Sequence, residues 1–284
     1  MRFAALAILV ACADPEPDEP NSVPTPMTDE VPRMAFESAG RILLYDGVET
    51  VPIVAGRRPA VSPDGTQIAF VRGDGTNEEI FVAKLDGSDV RQLTNNALED
   101  SKPTWSPDGA QIAFARTDDA GEIWTIAANG SEPAVQVTFR GGLADEPTWG
   151  VEGILFVDEA EDPWVTYLIG ANDAEPTQRL DNLQYENDVS WGPDGSIVFS
   201  AFLDNNQNEE IYVLPSGSDE RIQLTTFPGE DDEADVSPDG TQIAFESDRD
   251  GILDLYVMAA DGSDVRRLIP DLPEAERRRP AWVP

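Results

Sequence analysis

The sequence predicts an all-β fold, a six-bladed β-propeller closed by three strands near its N-terminal side and one at its C-terminus. Three observations lead there. A four-residue turn recurs at an interval near 44 residues, short apolar runs of strand length flank each copy, and the two ends of the chain supply complementary parts of one incomplete repeat.

The turn is Ser62-Pro63-Asp64-Gly65. It recurs as Ser106-Pro107-Asp108-Gly109, Gly192-Pro193-Asp194-Gly195 and Ser237-Pro238-Asp239-Gly240. The prolines are 44, 86 and 45 residues apart, so one degenerate copy lies inside the long interval, and Gly150-Val151-Glu152-Gly153 fills it. Proline pre-sets φ at the second position, aspartate suits the third, and glycine takes the left-handed conformation that restores strand register.

Each turn follows a tryptophan or valine: Val61, Trp105, Trp149, Trp191 and Val236. Each precedes Ile-x-Phe, at Ile68 to Phe70, Ile112 to Phe114, Ile154 to Phe156, Ile197 to Phe199 and Ile243 to Phe245. A third run such as Ile80-Phe81-Val82 and a fourth such as Gln92-Leu93-Thr94 complete the unit. The second strands are almost continuously apolar, as sheets covered on both faces require. Four short strands per repeat is the propeller pattern. The tryptophans before the turns are read as blade-packing residues.

The ends complete one another. Arg279 to Pro284 reads as a first strand that stops where its turn would begin. Met34-Ala35-Phe36, Ile42-Leu43-Leu44 and Val51 to Val54 read as a second, third and fourth strand without a first. Closing the ring removes the open sheet edges of a linear array.

Composition narrows the chemistry. The 284 residues carry 55 acidic and 19 basic side chains, a formal charge of −36, with no histidine and one cysteine. Such a surface repels phosphate, so no nucleic-acid partner is expected. Without histidine there is no Ser-His-Asp or Cys-His catalysis and no imidazole base or ligand, and no enzyme and no cofactor is expected. Carboxylate pairs leave a glycan hydrolase or lyase as a distant alternative. The runs Glu230 to Asp235 and Asp248-x-Asp250-Gly251 offer oxygens to calcium without matching the EF-hand spacing.

Residues 1–11 read as a signal peptide: Met1-Arg2, then a short apolar run from Phe3 to Ala11. Leu9-Val10-Ala11-Cys12 resembles the lipobox of bacterial lipoproteins, which implies acylation of Cys12. Residues 12–31 are rich in proline and acid and read as an extended, lipid-anchored tether, and residues 32–284 as the propeller.

In a propeller the first strand of each blade lines the axis, and the residues that begin it ring one mouth of the channel. In ring order these are Arg57/Arg58, Ser101/Lys102, Asp145/Glu146, Asn187/Asp188, Asp232/Glu233 and Arg278/Arg279. Three neighbouring positions are basic and the three opposite are acidic. Across a mouth about 20 Å wide, opposite charges gain only about 0.2 kcal/mol in water, so they are expected to stay unpaired and to orient a peptide or zwitterion. The alternative is that acids before Pro-x-Trp merely solvate a loop.

Trp105-Ser106-Pro107-Asp108-Gly109-x-x-Ile112-Ala113-Phe114, with Ser247-Asp248-Arg249-Asp250-Gly251 leading to Leu255-Tyr256-Val257, resembles the repeat of the TolB-type (WD40-like, PD40) propeller family. The resemblance covers about residues 33 to 284. A leader and tether stand where TolB carries an α/β domain. It implies a periplasmic, non-catalytic propeller that takes an extended peptide at the channel mouth. The expected protein is then a monomeric lipoprotein of the periplasm or outer membrane. Its partner would be an envelope protein or extended peptide, and it would touch the membrane only through its lipid. A carbohydrate- or cell-wall-binding lectin is the alternative.

Overall fold

The computed structural model describes residues 32–73, 77–117, 121–160, 163–171, 173–180, 185–202, 208–269 and 278–284. The leader, Cys12 and the tether over residues 1–31 lie outside the described residues. Among the described residues, twenty-four strands form six four-stranded antiparallel sheets.

One blade joins both ends of the chain. It contains β1 (Met34–Ser38), β2 (Arg41–Tyr45) and β3 (Thr50–Ala55), with β24 (Ala281–Trp282) innermost beside β1. The other five run in chain order from the axis outward: β4 (Arg57–Val61) to β7 (Arg91–Gln92), β8 (Glu99–Trp105) to β11 (Val135–Gln136), β12 (Ala144–Gly150) to β15 (Thr177–Gln178), β16 (Glu186–Trp191) to β19 (Ile222–Gln223), and β20 (Asp231–Val236) to β23 (Arg266–Arg267). The closing register pairs Met34 with Trp282 and Ala35 with Ala281. Backbone bonds from Val283 N–H to the Arg33 carbonyl (3.0 Å) and from Glu37 N–H to the Arg278 carbonyl (2.6 Å) extend it.

The recurrent turn has the expected chemistry. Gly65 N–H donates to the Ser62 carbonyl at 2.8 Å, and Gly65 has φ of 67°. Ser62 Oγ donates to Asp64 Oδ1 at 2.6 Å and accepts the Gln67 N–H at 2.9 Å, so one hydroxyl links the turn to the next strand. The serine and threonine bonds hold the Asp64 carboxyl below its ordinary value. The degenerate copy differs because a ring takes its space: a Cβ on Gly150 would lie 2.5 Å from Trp191 Cγ.

Packing between blades explains Ile-x-Phe. Ile112 and Phe114 pack toward the preceding blade, against Val71 and Val82. Ala113 and Ala115 face the following blade and receive its Ile154 and Phe156. At this interface the large face of one second strand thus fills the space left by the small face before it. Six apolar clusters occupy the six interfaces, and one of them, with Met34, Phe36, Leu255 and Val257, seals the last blade to the first. Phe36, Phe70, Phe114, Phe156, Phe199 and Phe245 are fully buried, and each contributes about 1.5–3 kcal/mol.

Candidate functional site: a charged ring at the channel mouth

The six inner strands enclose an axial channel of about 610 Å³. Arg58, Lys102, Glu146, Asp188, Glu233 and Arg279 line one end. Below them lie Ala60, Thr104, Thr148, Ser190, Asp235 and Ala281, and then Val61, Trp105, Trp149, Trp191, Val236 and Trp282. Pro63, Pro107, Val151, Pro193, Pro238 and Pro284 edge the far rim. The channel therefore runs from a polar mouth to an apolar one.

A shared backbone irregularity builds the ring. Each of the five complete inner strands shifts register against its neighbour just past its first residues, as between Arg57 and Ala60 or Asp145 and Thr148. At each bulge, and again at Arg279, a non-glycine residue adopts a left-handed conformation. The φ values are 50° at Arg58, 52° at Lys102, 51° at Glu146, 48° at Asp188, 50° at Glu233 and 41° at Arg279. Such residues cost on the order of 1–3 kcal/mol each and persist only where the surroundings enforce them. The bulge separates two consecutive residues, so that the second of each pair lines the channel and the first does not.

The first members therefore lie elsewhere. Arg57 turns to a buried acid, Glu78, and Asn187 donates to Glu209 at 3.0 Å. Ser101 and Asp232 are buried. Asp145 sits behind the ring, where it accepts from Lys102. Arg278 is fully buried between blades, with NH1 3.1 Å from Ser38 Oγ and Nε 3.8 Å from Asp254 Oδ1. Of the ten charged residues assigned to the mouth, Arg57, Asp145, Asp232 and Arg278 are thus not on its wall. Side-chain direction at a bulge does not follow strand alternation, which is why spacing alone misplaces them.

The charges do pair, and this corrects the expectation that they stay apart. Lys102 Nζ reaches Asp145 Oδ2 at 2.6 Å and Glu146 Oε1 at 2.8 Å on the next blade. Arg279 bridges Glu233 at 2.9 Å and Glu37 at 3.2 Å. The distance across the mouth is irrelevant to these contacts, because neighbouring blades bring the same ring position into direct reach. Glu146 Oε2 also accepts the Asp188 N–H at 2.8 Å, and Glu37 Oε2 accepts the Arg58 N–H at 3.1 Å. Glu37 carries no sequence signal for this role, since it lies on a second strand.

Protonation follows from these contacts. Burial alone would raise the Glu146 carboxyl, but Lys102, the Asp188 N–H and Arg58 outweigh it and hold it low. Burial would likewise lower the Lys102 ammonium, and Glu146 and Asp145 reverse that and raise it. Asp188 is pushed well above the usual carboxylate range by burial and then by Glu233, Glu146, Asp232 and Glu209. Deeper in the channel, burial lifts Asp235 to about 6.

Many remaining arginines neutralise buried acids and stack on blade aromatics. Arg116 clamps Asp100 at 2.6 and 2.7 Å and lies 4.4 Å from the Trp124 ring centre. Arg249 clamps Asp231 at 2.9 Å and lies over Phe245 and Tyr256. The acidic runs weighed for calcium are used in this way: Asp231 by Arg249, and Asp248 Oδ1 by the Glu230 N–H at 3.0 Å. Among the described residues no three acids converge as a metal site. Trp105 and Trp282 pack between blades, and each indole N–H donates at 2.9 Å to a backbone carbonyl of the preceding blade, at Ala60 and Asp235.

Comparison with known proteins agrees with this architecture. A family model described as the TolB beta propeller domain matches residues 50–201 and 175–284. An uncharacterised protein of Agrobacterium fabrum is 37% identical over 79 residues, 28% of this chain and 26% of that relative, so the match spans about a quarter of the relative's length. The structure of TolB from Acinetobacter baumannii is similar over 90% of this chain and 68% of that one, with a TM-score of 0.76 and 18% identity. A putative TolB from Agrobacterium tumefaciens covers 84% of this chain and 88% of its own, at 0.66 and 15%. A puromycin-hydrolysing peptidase from Mycobacterium tuberculosis is similar over 84% of this chain and 42% of its own, at 0.60 and 17%. At such identities these structures share the fold.

Proposed function

The chain belongs to the TolB beta propeller domain family, and from that premise we propose that it is a non-catalytic protein-binding module of the bacterial envelope. The carrying observation is the ring of six left-handed charged residues at one mouth of an otherwise largely apolar channel. Strained backbone at a polar opening is how folds hold binding groups in place. The channel volume of about 610 Å³ falls within the range of about 300–1,000 Å³ found for ligand pockets. An extended segment of a partner would seat its charged side chains on the ring. The lipobox-like Leu9 to Cys12 and the proline-rich stretch after it support attachment to a membrane by a lipidated Cys12.

A second reading, a lectin-like module, draws on Trp149 and Trp191, which are half-buried and line the channel. One comparison separates the two. The purified chain and its Arg58→Ser/Asp188→Asn variant are presented to an envelope-protein extract and to a glycan array. Retention of a discrete envelope protein by the wild type alone supports the protein-binding reading. Glycan binding without protein capture supports the lectin.

A further inference from the structure

We propose that the mouth selects its ligand by two opposite charges at once, with Arg58 and Asp188 as the anchors, and that the ligand is an extended peptide carrying both an acidic and a basic side chain. This rests on reading the mouth as a peptide-binding site.

The argument starts from which ring charges are already committed. At one junction between the basic and acidic halves, Lys102 is bound to Glu146 and Asp145. At the other, Arg279 is bound to Glu233 and Glu37. These four ring positions are neutralised by their neighbours and brace the opening. Arg58 and Asp188 are left as the two poles. Neither side chain has an ion pair among the described residues: the Glu37 bond takes the Arg58 backbone N–H, and the Asp188 carboxylate accepts from the Ser200 hydroxyl at 3.2 Å. Arg58 heads the second blade of the ring and Asp188 the fifth, so two blades lie between them in either direction and they face each other across the axis.

Each pole suits one charge. The guanidinium of Arg58 is half-buried and presents a planar fork that matches a carboxylate. Asp188 is the acidic ring position left without a cation among the described residues, and burial and the acids around it disfavour its charged form, so an arriving cation supplies the partner that form lacks. A single charge would satisfy one pole and face the wrong field at the other. A peptide with both satisfies each.

The test uses fluorescently labelled Ser/Gly peptides with Glu and Lys two to six residues apart, and for each spacing three relatives in which Gln replaces Glu, Lys or both. Anisotropy titrations at low salt are run on the wild type, Arg58→Gln and Asp188→Asn, with the fold of each verified by its melting temperature. At the preferred spacing the doubly charged peptide should bind about tenfold tighter than either singly charged one. Arg58→Gln should remove only the advantage of Glu, and Asp188→Asn only that of Lys. If all four peptides bind alike at every spacing, or the variants leave both preferences intact, the two-pole assignment is wrong while the peptide-binding mouth stands. If no peptide binds the folded wild type, both readings fall.

Discussion

Trp282 donates both of its N–H groups to Asp235: the backbone N–H to the carboxylate at 3.1 Å and the indole N–H to the carbonyl at 2.9 Å. Two residues 47 apart in sequence thus tie the last strand to the preceding blade, while Met34 and Ala35 hold that strand from the other side.

Deleting residues 280–284 removes β24, these bonds and the burial of Trp282, which is 8% exposed. Loss of a buried tryptophan alone costs about 3–5 kcal/mol, which for a chain of this size lowers the melting temperature by roughly 10 °C. Calorimetry of the truncated chain measures the drop, and an unchanged transition would contradict the closure.

Asp235 gives a pH signature. Its folded value, about 6, lies above the ordinary 3.8 because the charged form is buried. The stability that protonation confers is fully present below pH 3.8 and is lost as pH rises through 6. Asn at this position keeps an oxygen for the Trp282 N–H and an amide for Ser190 Oγ. Asp235→Asn should therefore melt higher than the wild type at pH 7.5, with the gap closing toward pH 4. Paired melting curves across that range decide it.

Arg116→Met leaves Asp100 fully buried without its cation and should destabilise by about 3–5 kcal/mol. The double variant Asp100→Asn/Arg116→Met removes the uncompensated charge and should recover most of that loss. Urea denaturation of the two singles and the double gives the coupling. Strictly additive losses would show that the pair does not act as a unit.

Gly150→Ala places a methyl against the Trp191 ring. Because the ring is held between two blades, it cannot move away freely, and a loss of roughly 1–3 kcal/mol is expected. A shift in tryptophan emission should accompany it. A variant that melts like the wild type with unchanged emission would show that the ring has room to yield.

The turns, the strands and the closure were legible because each is written locally. Ser62 to Gly65 carries its own hydrogen bonds, and Arg279 to Pro284 displays half a repeat whose other half begins at Met34. The ring was legible as a set of positions but not as a set of contacts. Which of Arg57 and Arg58 meets the channel is decided by a bulge that strand periodicity does not encode. The partnership of Lys102 with Glu146 joins residues 44 apart, visible only once the blades are set side by side. Glu37 was invisible for the same reason: its role depends on Arg279, 242 residues away.

The pairing of β1 with β24 also fixes an orientation. The last strand travels from the charged mouth to the proline-edged rim, and β1 is antiparallel to it, so Pro32 and Pro284 both emerge at that rim. Whatever the molecule is fastened to ahead of Pro32, whether a bead, a sensor chip or a bilayer, is therefore joined at the rim opposite the polar opening.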